Sequence, residues 1–206
     1  MKRLKVRTSK KYKREGDIMG RYTTRILSDD EIKSIIKTIA SGYKNHKPNE
    51  AIATVLLLQA NLGCRIGDIV NLRTDSIVPD CGGFRLNIIE QKTGKKRTFV
   101  IPSAVKQIID DYATRHGISY GRKLFRIGEQ AVWKALRQVT EYLNIGSVSA
   151  HSFRKAAGLR VYLDSGMDIA LTTQFYQHAS PAITMKYLQR NTKQMDELLS
   201  KSVFTL

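Results

Sequence analysis

Residues 151–188 of this 206-residue chain read HSFRKAAGLRVYLDSGMDIALTTQFYQHASPAITMKYL, with two histidines, two arginines and three tyrosines among small apolar residues. His151 and Arg154 are spaced i, i+3 and share one face of a helix that begins there. His178 follows in YQHAS, and Tyr187 lies nine residues further on in TMKYL. Earlier in the chain, Arg65 in LGCRIGD sits on a turn beside a helix start, where backbone N–H groups and a guanidinium can meet an anion together. Asp68, three residues on, suits the first turn of that helix and can hold Arg65 in place. Lys92 in EQKTGKKR reaches off a β-turn, and a lysine beside a phosphate can give its proton to a leaving oxygen, worth about 10²–10⁴ in rate. Each has a plainer reading as well. Arg65 and Lys92 can be solvated turn residues, and Tyr187, Tyr162 and Tyr176 can be core tyrosines with satisfied hydroxyls.

Charge narrows the partner. Lys and Arg number 35 against 18 Asp and Glu, a formal net charge of +17, so a polyanion is the expected partner and double-stranded DNA leads that class. An anionic membrane surface is the competitor, but no apolar run spans a bilayer and no signal-peptide core opens the chain. Cys64 and Cys81 are the only cysteines, which fits a reducing, cytoplasmic setting. Neither they nor His46, His116, His151 and His178 have metal-ligand spacing, so no metal is expected. The patterns GxxxxGK[ST] and GxGxxG are both missing, and neither ATP nor a dinucleotide is implied as a cofactor.

The elements that must position these groups are legible from periodicity. Residues 1–25 are almost all basic and polar and read as a flexible arm, either solubilising or DNA-tracking. Ser28, Glu31 and the isoleucines at 32, 35, 36 and 39 spell a capped helix. NEAIATVLLLQANLG after Pro48 is apolar nearly all round and reads as a buried helix ended by Gly63, with the short helix IGDIVNLR beyond Arg65. The period then switches to two: FRLNIIE and KRTFVI flank QKTGK as a hairpin, DSIVPD offers a third, edge strand, and Pro102 closes the sheet. Helical periods return in SAVKQIIDDYATRHG, in EQAVWKALRQVTEYLN and in 151–188, where Gly158 and Gly166 read as punctuation. The fold class is α+β, mainly helical with a small three-stranded antiparallel sheet, and not alternating βαβ. The tail, 191–206, has apolar residues in helical spacing and is expected to pack on its own domain or be exchanged between protomers.

In order, LGCRIGDIVNL, EQKTGKKRTFVIP, HSFR and QHASPAITMKYL resemble the catalytic domain of the tyrosine recombinases, the phage integrase family. That family carries an Arg after a Leu-Gly pair, a hairpin Lys in a Lys-Thr-Gly context, a His-x-x-Arg box, and a nucleophilic Tyr nine residues after a further His or Trp. The resemblance covers residues 26–190. It implies that Arg65, Lys92, His151, Arg154 and His178 activate a phosphate, that Asp68 supports them and that Tyr187 is the nucleophile. Two positions depart from the pattern: Gln177 stands where a Gly commonly precedes the His, and Lys155 where a second His often follows the Arg.

By this resemblance the chain cuts and rejoins DNA through a covalent 3′-phosphotyrosine, without metal or ATP. Two other readings stand beside it, DNA relaxation like that of a type IB topoisomerase and a catalytically silent basic DNA-binding regulator. The resemblance further implies a monomer in free solution and a tetramer on synapsed sites. A natural short member and a truncated catalytic domain both fit the length. The target sequence is not encoded in any short motif.

Overall fold

The computed structural model describes residues 24–188. The expected tail helix and all but the last two residues of the expected arm lie outside the described residues. Helix α1 (Asp29–Ser41) begins on a capping box, Ser28 Oγ accepting from the Glu31 N–H at 3.2 Å and the Glu31 carboxylate from the Ser28 N–H at 2.9 Å. It buries Ile32, Ile35 and Ile39 against α2 (Glu50–Leu62). Helix α2 is the centre of the molecule, with Val55, Leu56 and Leu58 fully enclosed. Each such side chain contributes about 1.5–3 kcal/mol by leaving water.

Gly63 ends α2 in the left-handed region at φ 58°, its N–H returning to the Gln59 carbonyl at 3.0 Å. That turn aims the chain so that Arg65 becomes the N-cap of the short helix α3 (Ile66–Val70). Strands β1 (Ile77–Asp80), β2 (Gly83–Ile89) and β3 (Lys96–Ile101) form the antiparallel sheet in the order β1-β2-β3. Pro79 is tolerated because β1 is an edge strand. The β2–β3 register pairs Ile89 with Lys96, leaving residues 90–95 as the hairpin turn.

Helix α4 (Ser103–Arg115) packs on β2 and α2, and α5 (Glu129–Tyr142) on α1 and α2. Helix α6 (Ala150–Asp164) lies along α2, α7 (Ile169–Tyr176) along α6, and α8 (Pro181–Leu188) against both of the last two. The α+β class and the three-stranded antiparallel sheet are as the sequence implies. No described helix is long and apolar enough to cross a membrane.

One expectation is corrected. Gly158 does not break the helical run; it lies inside α6, and a Cβ there would come within 1.8 Å of the Tyr176 hydroxyl oxygen. Glycine is present to let Tyr176 pack, not to end a helix. In a helix interior Ala is favoured over Gly by about 1 kcal/mol. Overpacking costs about 1–3 kcal/mol, and here the atom met belongs to a fully buried ring. We therefore expect Gly158→Ala to lower the melting temperature despite its better helix propensity. Thermal unfolding followed by circular dichroism checks this, and an unchanged or raised midpoint would contradict the packing.

Candidate active site

Arg65 leaves the start of α3 with about a quarter of its side chain exposed and meets Glu90 at 2.5 Å. Glu90, the first residue of the hairpin turn after β2, is itself 1% exposed. Lys92 is exposed on the turn two residues later, and its charge is felt at His151.

Asp68 does not hold Arg65 directly. From within α3 its carboxylate faces the hairpin and accepts the backbone N–H of Gln91, beside Lys92, at 2.9 Å. Burial raises the Asp68 pKa, and the Glu90 charge adds to that rise. The Gln91 N–H and the charges of Arg65 and Arg154 oppose it.

Ser149 caps α6, its hydroxyl accepting the His151 N–H at 3.1 Å, and this puts His151 and Arg154 in the first turns of the helix. His151 is exposed at the surface, and its pKa is lowered by partial desolvation from the packed atoms around it and then by the nearby positive charges of Arg154, Lys155, Lys92 and Arg65. The ring is thereby neutral at pH 7 and able to take a proton. Arg154 is 3% exposed and lies over the Tyr176 ring. One guanidinium nitrogen, Nη2, donates to the Tyr176 carbonyl at 3.0 Å, while Nη1 is buried with no hydrogen-bond partner among the described residues. A buried guanidinium with an unpaired donor suits an anion that arrives from outside.

His178 follows the end of α7, stacked on Tyr176 with ring centroids 4.8 Å apart. Its Nδ1 lies 2.9 Å from the Thr184 hydroxyl on α8, and Thr173 donates to that same hydroxyl at 2.9 Å. Thr173 also donates to the Ile169 carbonyl at 2.7 Å, so its single hydrogen is shared between two acceptors and the His178 tautomer follows whichever one it serves. Burial, with the charges of Arg154, Arg65 and Arg97, lowers the His178 pKa to about 4, so the ring is neutral at pH 7.

Tyr187 projects from α8 with its ring edge-on to Tyr176 and to His178, centroids 5.1 and 5.4 Å apart. Lys155 Nζ lies 5.2 Å from the Tyr187 ring centroid and also donates to the Thr24 carbonyl. Burial raises the pKa of the Tyr187 hydroxyl, and the neighbouring charges of Arg154 and Arg65, with a side-chain hydrogen bond from Arg154, work against that rise. Arg65, Arg154, His178 and Tyr187 thus lie within electrostatic reach of one another. The same holds for His151 with Arg65, Arg154 and Lys92. Five cationic or imidazole groups and one phenol, drawn from the start of α3, the hairpin, α6, the segment after α7 and α8, are linked by these pairwise electrostatic interactions.

The sequence model described as the phage integrase family matches residues 25–194. The chain belongs to the phage integrase family. It is 26% identical over 187 residues to tyrosine recombinase XerC of Caldanaerobacter subterraneus subsp. tengcongensis, covering 85% of this chain and 50% of that protein. With tyrosine recombinase XerA of Pyrococcus furiosus it shares 24% identity over 186 residues, covering 85% of this chain and 61% of that one. The chain therefore spans half to three-fifths of the length of these relatives. Its fold matches a crystal structure of XerA recombinase with a TM-score of 0.64 at 22% identity, over 93% of this chain and 69% of the other. XerH bound to its difH substrate, in a post-cleavage complex, gives a TM-score of 0.63 at 13% identity, over 85% and 52%. The catalytic domain of bacteriophage HP1 integrase gives 0.61 at 13% identity, over 87% of this chain and 96% of that domain.

Within this phage integrase fold, the structure adds residues that the sequence reading passed over. Arg97 is 1% exposed between the rings of Phe99 and Phe175, donating to the Phe175 carbonyl at 2.7 Å and approaching Glu90 at 3.5 Å. The signal was present: in β3, Arg97, Phe99 and Ile101 share the inward face, and an arginine in that register needs a buried partner. Gln177, where the family commonly has Gly, takes the left-handed conformation at φ 54°. Its side chain donates to the Lys96 carbonyl at 3.3 Å, tying the turn before His178 to the start of β3.

Proposed function

We propose that this chain is a site-specific DNA recombinase that cuts and rejoins strands through a covalent 3′-phosphotyrosine, with Tyr187 as nucleophile. The observation that carries this reading is the convergence on the Tyr187 hydroxyl of Arg65 and Arg154, two arginines 89 positions apart in sequence. A phosphodiester is an anion and repels a nucleophile unless donors spread its charge. Two guanidinium forks on the non-bridging oxygens do so most where the pentacoordinate transition state is most charged.

In the proposed step the Tyr187 oxygen bonds to phosphorus and the P–O5′ bond breaks. A phenol with an intrinsic pKa of about 10 must lose its proton as it attacks, and neutral His151 accepts it. Lys92 gives a proton to the departing 5′ oxygen, and His178 is hydrogen-bonded to the phosphate. Asp68, through the Gln91 N–H, steadies the hairpin that carries Lys92. The phosphotyrosine ester is then open to attack by another 5′-hydroxyl, which releases Tyr187 and reseals the strand with no further energy source. DNA as the substrate is supported by the net charge of +17 and by the DNA-bound state of XerH.

The test is a pool of end-labelled, nicked duplexes of randomised sequence, in which cleavage releases a short fragment and traps the enzyme. Protein-linked label that survives denaturation is expected, and its absence would contradict the reading. Recombinant strands formed between two trapped sites, as opposed to relaxation of a plasmid alone, separate strand exchange from topoisomerase action. The chain is further proposed to be a monomer in solution and to assemble as a tetramer on paired sites. Sedimentation velocity without DNA should show a single species near 23.3 kDa, and a stable tetramer would contradict it.

A further inference from the structure

Glu90 belongs to none of the groups assigned above, yet the side chains of Arg65, Thr93 and Arg97 all meet at its carboxylate. One carboxylate oxygen, Oε2, meets Arg65 Nη1 at 2.5 Å and accepts the Thr93 hydroxyl at 2.8 Å. The other, Oε1, faces Arg97 Nη1 at 3.5 Å. Its backbone closes the hairpin turn, the N–H donating to Lys95 at 2.9 Å and the carbonyl accepting Gly94 at 2.8 Å. Arg97 in turn reaches the Phe175 carbonyl on α7 at 2.7 Å. A carboxylate at 1% exposure is rarely kept without a task. Burial works against its ionisation, but Thr93, Arg65 and Arg97 outweigh that and hold its pKa below the ordinary range.

The geometry points to Glu90 as the positioning residue of the phosphate-activating set, fixing the guanidinium of Arg65 on one edge so that its remaining N–H groups face the scissile phosphate. The inference rests on the function proposed above. A guanidinium offers five donors in a rigid plane, and the buried Glu90 carboxylate 2.5 Å from Nη1, an ion pair and not an aligned hydrogen bond, anchors that corner of the plane. Asp68 does not do this, since its hydrogen bond goes to Gln91. Displacing a charge-stabilising group by about 1 Å can cost on the order of 10²-fold in rate.

Glu90→Gln keeps the shape and an acceptor for Thr93 while removing the charge that holds Arg65. Because it also leaves Arg97 buried beside a neutral group, the double variant Glu90→Gln/Arg97→Met is made in parallel, which leaves no stranded charge. The duplex most enriched in the covalent pool is resynthesised with an ordinary phosphodiester or with a methylphosphonate at the scissile position. Adduct formation is timed at saturating DNA. On the phosphodiester both variants should be slower than the wild type by about 10²-fold. On the uncharged methylphosphonate, which needs less compensation from Arg65, that ratio should shrink to about tenfold or less. A general loss of structure slows both substrates alike. An equal ratio on the two substrates, or variants as fast as the wild type on the phosphodiester, would overturn the inference and leave the functional reading intact. A wild-type chain that forms no adduct on either substrate would overturn that reading, and the inference with it.

Discussion

Replacing Tyr187 by Phe is expected to abolish the covalent protein–DNA complex while leaving non-covalent DNA binding within about threefold of the wild type. The substitution removes one oxygen and no packing. The ring keeps its edge-on arrangement with Tyr176 and His178, and the 5.2 Å approach of Lys155 to its face persists. The one described partner of the Tyr187 hydroxyl is the Arg154 side chain, which keeps its bond to the Tyr176 carbonyl, so the melting temperature should change by no more than a few degrees. Loss of the only proposed nucleophile leaves the arginines with a phosphate that nothing attacks. Denaturing gels with the nicked pool read the first effect and fluorescence anisotropy the second. Adduct retained by the variant would move the nucleophile to another residue.

Arg154→Lys carries the next largest expected effect. The guanidinium is 3% exposed, and it spends Nη2 on the Tyr176 carbonyl while Nη1 has no hydrogen-bond partner among the described residues. A lysine there keeps the positive charge and avoids a large cavity, but it cannot hold that carbonyl and present a second donor in the same plane. The cleavage rate at saturating DNA should fall by about 10²–10³-fold, the usual cost of losing one donor to a developing oxyanion. Affinity for duplex DNA should fall far less, because many other cations contribute to it. Single-turnover trapping beside a binding isotherm separates the two. A variant that cleaves at the wild-type rate would show that one point charge suffices at this position.

These expectations mix what local sequence could give with what only the fold reveals. The capping box at Ser28 and Glu31, the left-handed Gly63 and the hairpin around residues 90–95 depend on neighbours in sequence, and each was legible there. The ordered spacing of Arg65, Lys92, His151, Arg154, His178 and Tyr187 was equally visible, since it is a pattern of residue types. What escaped were partnerships across the fold. The carboxylate that meets Arg65 is Glu90, 25 positions away, whereas the nearer Asp68 has turned to Gln91. Gly158 read as punctuation because its reason, the Tyr176 hydroxyl, belongs to another helix. Arg97 was readable only as an oddity of strand register until Phe99, Phe175 and Glu90 were seen around it.

The site joins pieces that local structure alone would leave apart. The N-cap of α3 supplies Arg65, the hairpin Lys92, α6 His151 and Arg154, the segment after α7 His178, and α8 Tyr187. Tyr176 is the floor on which three of these rest, packing against Arg154, His178 and Tyr187 while its hydroxyl donates to the carbonyls of Arg154 and Lys155 at 3.1 and 3.3 Å. Its phenol is pushed well above the ordinary value by burial and by the Tyr187 hydroxyl, so it stays protonated and structural.

The central claim is that one phenol, at position 187, becomes bonded to DNA phosphorus. The most direct measurement is mass spectrometry of the trapped wild-type complex after nuclease and protease digestion. The account predicts a nucleotide-bearing peptide whose fragment ions place the added mass on Tyr187. The same mass on Tyr162, Tyr176 or any serine would contradict it.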